Sequence, residues 1–488
     1  MDVHVSLGER GDLVAAIYRQ LRAAVLDGRL HQGERLPPTR ELAARLKVAR
    51  NTVAVAYERL TAEGFLTSRV GAGTFVTSTP VDQLSRAAPA GTGVAPRQRW
   101  RSVPDLTRPA PVRPDARYDF SVGVPDARLF PLETWRRLIG QVLRPATIRT
   151  GYGDPAGHAD LRAAIARSVG LSRSVRAGAE DVLITQGAQQ ALDLIGRVVI
   201  EPGDRVAVEE PGYPPARLLF RSLGARVVGV PVDAEGLDVS VIPDDVRLVY
   251  TTPSHQFPLG TPMSLNRRAA LLAWAEGRDA VIVEDDYDSE FRFSDRPLEP
   301  LQSLDRSGRV IYVGSFSKTL LPMLRLGFLV APASLRPALR WAKRLTDWHG
   351  DLATQAALAR FIDEGLLARH IRKATREYAA RHERITTTLR ADFADWLDVV
   401  PSTAGLHVCT RLARPANVDL GETVDLSEVV SRARESGVAV ESLADYCDGP
   451  GQPGLVLGYG AIAEADIAAG LRRLRNLMSN SGVQTSGC

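Results

Sequence analysis

Lysine is rare in this chain. Of 61 basic residues only four are lysines, Lys47, Lys318, Lys343 and Lys373, so each needs a reason. For Lys318 the surroundings supply one: Gly314-Ser315-Phe316-Ser317-Lys318-Thr319 sets it among hydroxyls in a largely apolar run, and Arg325 follows seven residues on. Desolvation lowers the pKa of an amine and leaves it nucleophilic, while Ser and Arg bind phosphate; together they suit a Schiff-base lysine beside a cofactor phosphate. The plain alternative is a solvated surface lysine. A second group is Glu284-Asp285-Asp286-Tyr287. There Asp285 could hold a protonated pyridine nitrogen and Tyr287 a ring hydroxyl, or the two are a capping carboxylate beside a core aromatic. A third is Thr185-Gln186-Gly187-Ala188-Gln189-Gln190, where a glycine before a helix would expose backbone N–H groups to an anion, or simply make a tight turn.

Those three groups follow apolar, β-rich runs. Asp181–Thr185, Arg205–Glu209, Arg247–Thr252, Ala280–Glu284 and Arg309–Val313 read as strands, each followed by a loop or an amphipathic segment. Such alternation predicts a mostly parallel sheet covered by helices on both faces. Ligands of such sheets lie beyond the carboxyl ends of the strands, which is where all three groups fall.

The first residues carry a different pattern. Leu13, Ile17, Leu21 and Val25 recur at helical spacing up to Gly28. Thr39 is placed to cap a helix with Leu42, Ala43 and Leu46 as its buried stripe, and Lys47-Val48-Ala49 breaks it before Arg50-Asn51-Thr52 opens another that runs to Gly64. Phe65–Thr67 and Gly73–Thr77 alternate as two strands around a tip at residues 69–72. Three helices and a hairpin predict a small α+β winged helix-turn-helix domain. Residues that open a recognition helix reach base edges and phosphates in the major groove, so Arg50, Asn51 and Thr52 are candidate DNA contacts, with Arg40 holding the backbone. On spacing alone the same residues also read as solvated helix-end charges.

Between these parts, residues 80–117 hold seven prolines and lack hydrophobic periodicity, which reads as an extended linker. The organisation expected is thus a domain over residues 11–79, a Pro/Arg-rich linker over 80–117, an α/β body over 118–478 and a tail over 479–488. A composition 44% apolar and 24% charged suits a globular chain, and no apolar run reaches the length of a membrane span. The formal charge is +4, with +3 on residues 1–79, +4 on 80–117 and so −3 on the remainder, a basic front on an acidic body. Cys409, Cys447 and Cys488 are odd in number and fit no ligand spacing, so they are expected to be ordinary thiols, and neither a disulfide framework nor a metal site is indicated.

Leu36-Pro37-Pro38-Thr39-Arg40-Glu41-Leu42-Ala43 and Arg50-Asn51-Thr52-Val53 resemble the GntR-type winged-helix domain, while the body resembles the class of aminotransferases of PLP fold type I. Joined in this order, with Thr252-Pro253-Ser254-His255-Gln256-Phe257-Pro258 and Glu284–Arg292 also matching, the chain resembles the MocR/GabR family of pyridoxal 5'-phosphate (PLP)-dependent transcriptional regulators. The resemblance implies Lys318 as the Schiff-base lysine, Asp285 on the pyridine nitrogen, Tyr287 on the ring oxygen and Tyr213 stacked on the ring. It implies a phosphate shell from Ala188, Gln189, Ser315, Ser317 and Arg325, with Tyr152 reaching the phosphate of the partner subunit in a homodimer. It further implies DNA contacts from Arg40, Arg50 and Thr52, with Gly71 letting the wing approach the minor groove.

Two positions depart from working aminotransferases. Phe257 stands where they carry an asparagine, and Val456 stands where they carry the arginine that clamps a substrate carboxylate; no arginine lies between Gly449 and Gly470. The expected function is therefore a cytoplasmic, homodimeric regulator that binds operator DNA and senses a small molecule, PLP itself or an amine lacking a carboxylate. The alternative is an active PLP-dependent aminotransferase with an accessory DNA-binding domain, and whether the chain turns over amino donors stays open at this point.

Overall fold

The computed structural model of the chain describes residues 12–77, 100, 116–145, 151–293, 299–413 and 426–480. The chain divides into two compact units at Arg97/Gln98. Nearly all of the expected linker, and Cys488 with the end of the expected tail, lie outside the described residues.

In the first unit, helix α1 (Leu13–Leu26) is capped by Asp12, whose carboxylate accepts from the Ala15 N–H. Ile17, Leu21 and Val25 are buried as their spacing predicts, whereas Leu13 at the helix start is 39% exposed. Helix α2 (Thr39–Leu46) corrects one expectation: Pro38 occupies the N-cap and Thr39 is the first helical residue. The extended backbone of the proline holds the chain at the helix entry, and the Thr39 hydroxyl instead accepts from Arg50 Nε at 3.4 Å. Lys47 turns the chain in the left-handed region at φ 53° so that helix α3 (Arg50–Ala62) can follow directly. Strands β1 (Leu66–Arg69) and β2 (Gly73–Val76) pair antiparallel to form the wing, with Gly71 at φ 78° in its tip. Leu21, Leu42, Val53, Leu60 and Leu66 make one core from all these elements.

The second unit opens with β3 (Tyr118–Asp119), α4 (Leu132–Val142) and α5 (Ala159–Arg173). Then β4 (Val182–Thr185) and α6 (Ala188–Val199) lead into β5 (Arg205–Glu210), α7 (Pro214–Ser222) and β6 (Arg226–Asp233). They are followed by β7 (Gly236–Leu237), β8 (Val246–Thr251), α8 (Leu265–Gly277), β9 (Val281–Asp286), α9 (Leu301–Leu304), β10 (Val310–Ser315) and β11 (Gly327–Val330). The sheet order is β4-β11-β10-β9-β8-β5-β6-β7. All five expected strands are present within two residues of their expected bounds, and β6, β7 and β11 complete the sheet. The interior is mostly parallel, and β11 runs antiparallel between β10 and β4. Neighbouring residues on β9 face opposite layers, Val283 packing with Ile195, Val206 and Val313, and Ile282 with Val249, Leu271 and Trp274. Helices thus cover both faces of the sheet, as expected.

The chain continues through α10 (Arg336–Asp347), α11 (Leu352–Asp363) and the long α12 (Leu366–Asp392) to a second sheet. That sheet has the order β12 (Leu397–Val399), β13 (His407–Leu412), β16 (Gly454–Gly458), β15 (Glu441–Ser442). β14 (Val438–Ala439) pairs instead with β3, and α13 (Ser427–Glu435) and α14 (Glu464–Asn480) pack on this part of the unit. α14 runs two residues into the segment expected as a tail. The β3/β14 pairing matters for the site, because it draws residues 120–125 beside the ends of the main strands, where the Gly458 N–H donates to the Phe120 carbonyl.

Candidate cofactor site and nucleic-acid interface

The last residues of β9 alternate faces, and this alone separates two adjacent acids. Asp286 points to a polar layer in which Arg173 Nε (2.9 Å) and the Tyr312 hydroxyl (2.5 Å) donate to it. Asp285 points the other way. The Tyr250 hydroxyl donates to its Oδ2 at 2.9 Å, while its buried Oδ1 has no hydrogen-bond partner. Burial pushes the Asp285 carboxyl up to about 7, only partly offset by the Tyr250 hydrogen bond. A buried acceptor with one oxygen unspent suits a charged N–H donor.

Lys318 sits in the turn after β10 and donates from Nζ to the Gly123 carbonyl at 2.6 Å. Burial pushes its amine down, and the charges of Asp288, Asp285 and Glu441 oppose that shift. Gly123 lies at φ 76°, and a Cβ there would stand 2.6 Å from Nζ, so a side chain at this position would force the lysine amine to shift. Lys343 is more buried than Lys318 but is held by Asp347 one turn along α10, which makes it a structural ion pair.

Tyr287, just past β9, places its phenol 3.0 Å from His255 Nδ1. The same nitrogen lies 3.0 Å from Asp288 Oδ1, and His255 Nε2 lies 3.0 Å from the Ser402 hydroxyl. With Nδ1 protonated to face the carboxylate, the Tyr287 oxygen accepts and its proton stays uncommitted. Tyr213, at the N-cap of α7, meets Phe257 edge-on at 5.7 Å, and burial pushes its phenol up to about 12.

The third group forms a cradle. Gly187, at φ 84°, ends the turn from β4 into α6, so that the N–H groups of Ala188 and Gln189 open that helix. Arg325 Nη2 donates to the Gln186 carbonyl at 2.6 Å, and a Cβ on Gly187 would come within 3.1 Å of that guanidinium. Ser315 and Thr185 both pair with Gly327 on β11, which brings the turn holding Ser315 and Ser317 beside the cradle, and the Ser317 N–H donates to Ser315 Oγ at 3.1 Å. Gln189 keeps a buried Oε1 without a partner. Asp347 accepts from the amides of Gln186 and Gln190 at 2.9 and 2.7 Å and so braces the cradle from α10. Helix N-terminal N–H groups, hydroxyls and an arginine fit a phosphate, and the Asp285, Tyr287 and Lys318 positions fit the ring and aldehyde of PLP.

One expected residue is not brought to this site within its own chain: Tyr152 is 82% exposed and meets Trp348 at 5.1 Å with the two rings tilted by 36°. Val456 is buried on β16 among Cys409, Leu443 and Tyr446. Arg217, the nearest candidate cation in sequence to Tyr213, is committed to Glu210 at 3.0 Å. Sequence reasoning did not single out Tyr250, Asp288, Ser402 or Glu441. They come from strands and loops far apart in the chain, and no local spacing marks them.

On the first unit, Arg40, Arg50 and Asn51 are exposed at the starts of α2 and α3, and Thr52 is half-buried. The Arg50–Thr39 contact sets the two helix starts side by side. Val70, beside Gly71 at the wing tip, is fully exposed. The two cysteines within the described residues, Cys409 and Cys447, are free, and burial holds Cys409 at about 12, as an inert thiol.

Residues 118–444 match the aminotransferase class I and II family and residues 13–76 match the bacterial regulatory proteins of the gntR family. Over 465 residues the chain is 39% identical to the probable rhizopine catabolism regulatory protein MocR of Rhizobium meliloti, covering 94% of this chain and 92% of that protein. It is 31% identical to the pyridoxine biosynthesis transcriptional regulator PdxR of Corynebacterium glutamicum, covering 94% of each. Among solved structures, the kynurenine aminotransferase of Pyrococcus horikoshii, determined with PMP, superposes with a TM-score of 0.69 at 27% identity over 83% of this chain and 99% of that one. With both domains matched in this order and full-length relatives of the same organisation, the chain belongs to the MocR/GabR family of transcriptional regulators, a GntR-type winged helix joined to an aminotransferase-like domain of PLP fold type I.

Proposed function

We propose that this protein is a PLP-dependent regulator that binds operator DNA through its winged helices and reads a small molecule at Lys318. The observation that carries the reading is the convergence of Lys318, the unspent Oδ1 of Asp285 and the Gly187/Arg325 cradle at one end of one sheet, in a chain that also holds a DNA-binding fold. PLP supplies an aldehyde with which amines combine reversibly. The protein's own residues do the rest. Asp285 holds the pyridine nitrogen, Tyr287 donates to the ring oxygen under the control of His255, and Tyr213 lies against the ring. Ala188, Gln189, Ser315, Ser317 and Arg325 hold the phosphate, and Lys318, whose amine burial pushes down, is the nucleophile.

Exposed Tyr152 completes the phosphate site of the partner subunit, so a homodimer is the working form. Arg50, Asn51 and Thr52 contact bases or phosphates, Arg40 holds the backbone and Gly71 lets the wing approach the minor groove. Such a protein acts in the cytoplasm, where its operator lies; no helix among the described residues is long and apolar enough to cross a membrane. Turnover as an aminotransferase is disfavoured by the buried Val456 and the committed Arg217, which leave a substrate carboxylate without its clamp, at a cost of several kcal/mol for an unpaired buried charge. For the same reason the effector is PLP itself or an amine without a carboxylate at that position.

The test is protection of promoter DNA by the purified protein with and without PLP, alongside an assay of amino-group transfer to keto acids. A protected site whose occupancy responds to PLP or to an amine supports the reading. Rapid turnover together with no protected site would replace it with the enzyme.

A further inference from the structure

Where the clamp for a carboxylate is lacking, the next strand brings a carboxylate instead. Val456 pairs across the ladder with Glu441 of β15. Glu441 Oε1 accepts from the Val122 N–H at 2.9 Å, and Oε2 accepts from the Tyr446 hydroxyl. Val122 precedes Gly123, whose carbonyl receives the Lys318 amine at 2.6 Å. Glu441 and Lys318 therefore meet adjacent residues of one segment, and the Glu441 charge acts on the lysine. Each carboxylate oxygen offers two lone pairs, so two donors leave about half of the acceptor capacity unspent.

The walls beside Glu441 are aromatic. Tyr446 meets Phe257 edge-on at 5.2 Å, and Phe257 meets Tyr213 and Tyr287 at 5.7 and 5.6 Å. Glu441, Phe257, Tyr213, Tyr287 and Lys318 are each only partly buried, while Val440, Ser442, Gln256, Pro258, Asp286 and Asp288 beside them are buried, and we read these five as lining one recess. A carboxylate framed by aromatic rings is an ammonium site. Burial above all, with the charges of Asp445 and Asp119, pushes the Glu441 carboxyl up against the hydrogen bonds from Tyr446 and Val122, and a cation would relieve that cost. A carboxylate that only stapled the Val122 loop would need neither the aromatic frame nor the accessibility.

We infer that the effector is a diamine, with one amino group at the Lys318 end of the recess and the second, as an ammonium, received by Glu441 beside Phe257 and Tyr446. This rests on the reading of Lys318 as the sensing residue. The test titrates the full-length, PLP-loaded protein with 1,4-diaminobutane, 1-aminobutane and 4-aminobutanoate, following visible absorption and binding heat. The diamine is expected to half-saturate at about tenfold lower concentration than the monoamine, as one charge-assisted hydrogen bond provides, and the amino acid to bind most weakly. In Glu441→Gln, with PLP content and melting temperature matching the parent, that advantage should fall below about twofold. An unchanged advantage in Glu441→Gln, or tightest binding of 4-aminobutanoate, overturns the inference. If the variant does not fold, the parent's own diamine-to-monoamine ratio decides, and a ratio below about two overturns it. Equal responses to all three compounds sink the diamine and leave amine sensing standing, whereas no response to any of them overturns both.

Discussion

Replacing Asp285 by Asn tests the cofactor site through stability as well as binding. The side chains are nearly isosteric, so Tyr250 can keep its hydrogen bond, and what is lost is the charge. In an unfolded chain an aspartate titrates near 3.9, and in this fold Asp285 titrates near about 7 because burial disfavours its charged form. Between those values the native state keeps a proton that the unfolded chain has released, so stability falls as pH rises through the window. A shift of about three units corresponds to about 4 kcal/mol as an upper bound, lost between about pH 4 and 7. Asp285→Asn removes that slope. Glu284 and Glu290, held near about 7 and about 8, contribute slopes of their own, so the informative quantity is the difference between variant and parent. Thermal or urea melts of PLP-free parent and variant from pH 5 to 8 should show the variant gaining relative stability as pH rises. Added PLP should reverse the order at pH 7.5, since the charge-assisted bond to the ring nitrogen is worth about 1.5–3 kcal/mol, or roughly 10- to 150-fold in PLP affinity. Parallel pH profiles for parent and variant, with equal PLP affinity, would refute the placement of Asp285.

Borohydride reduction of the PLP-loaded protein followed by peptide mass analysis should place the cofactor on Lys318; recovery on Lys343 or Lys373 would move the site. Arg50→Ala should weaken operator binding by about 1–3 kcal/mol and relax sequence preference, whereas Arg40→Ala should weaken all sequences alike, as compared by competition binding at one salt concentration. Operators that work should carry two half-sites, one for each winged helix of the dimer, and a single half-site should bind measurably more weakly. His255→Ala frees the Tyr287 phenol from the imidazole and should shift the pH midpoint of the visible absorption while PLP content is retained; a midpoint identical to the parent's would make His255 a packing residue only.

Much of this protein was legible in one dimension. Helical spacing and turn residues predict the winged helix residue by residue, because its core is built from contacts close in sequence. One local error, Thr39 as a cap, arose because a favourable capping residue stood one place after a proline that holds the cap position itself. The strands after which Lys318, Asp285 and Gly187 fall are likewise marked by their apolar runs, and the rarity of lysine singles out Lys318. Antiparallel β11, the eight-residue β6 and the two-residue β7 were not, since an apolar run carries no record of its direction or its neighbours.

The sequence by itself thus determined which residues can do chemistry and at which strand ends they stand. Only the tertiary structure decided which of two adjacent acids faces the site, since alternation along β9 turns Asp285 toward Tyr250 and Asp286 toward Arg173. It also decided that Arg217 is spent on Glu210, and that Tyr287 meets His255 and Asp288. Finally it set Glu441, 123 residues after Lys318, against the loop that holds that lysine, through the pairing of β3 with β14. Hydrogen bonds and ion pairs between distant segments exist only once the backbone has closed the loops between them, and no local pattern of residue types records that closure.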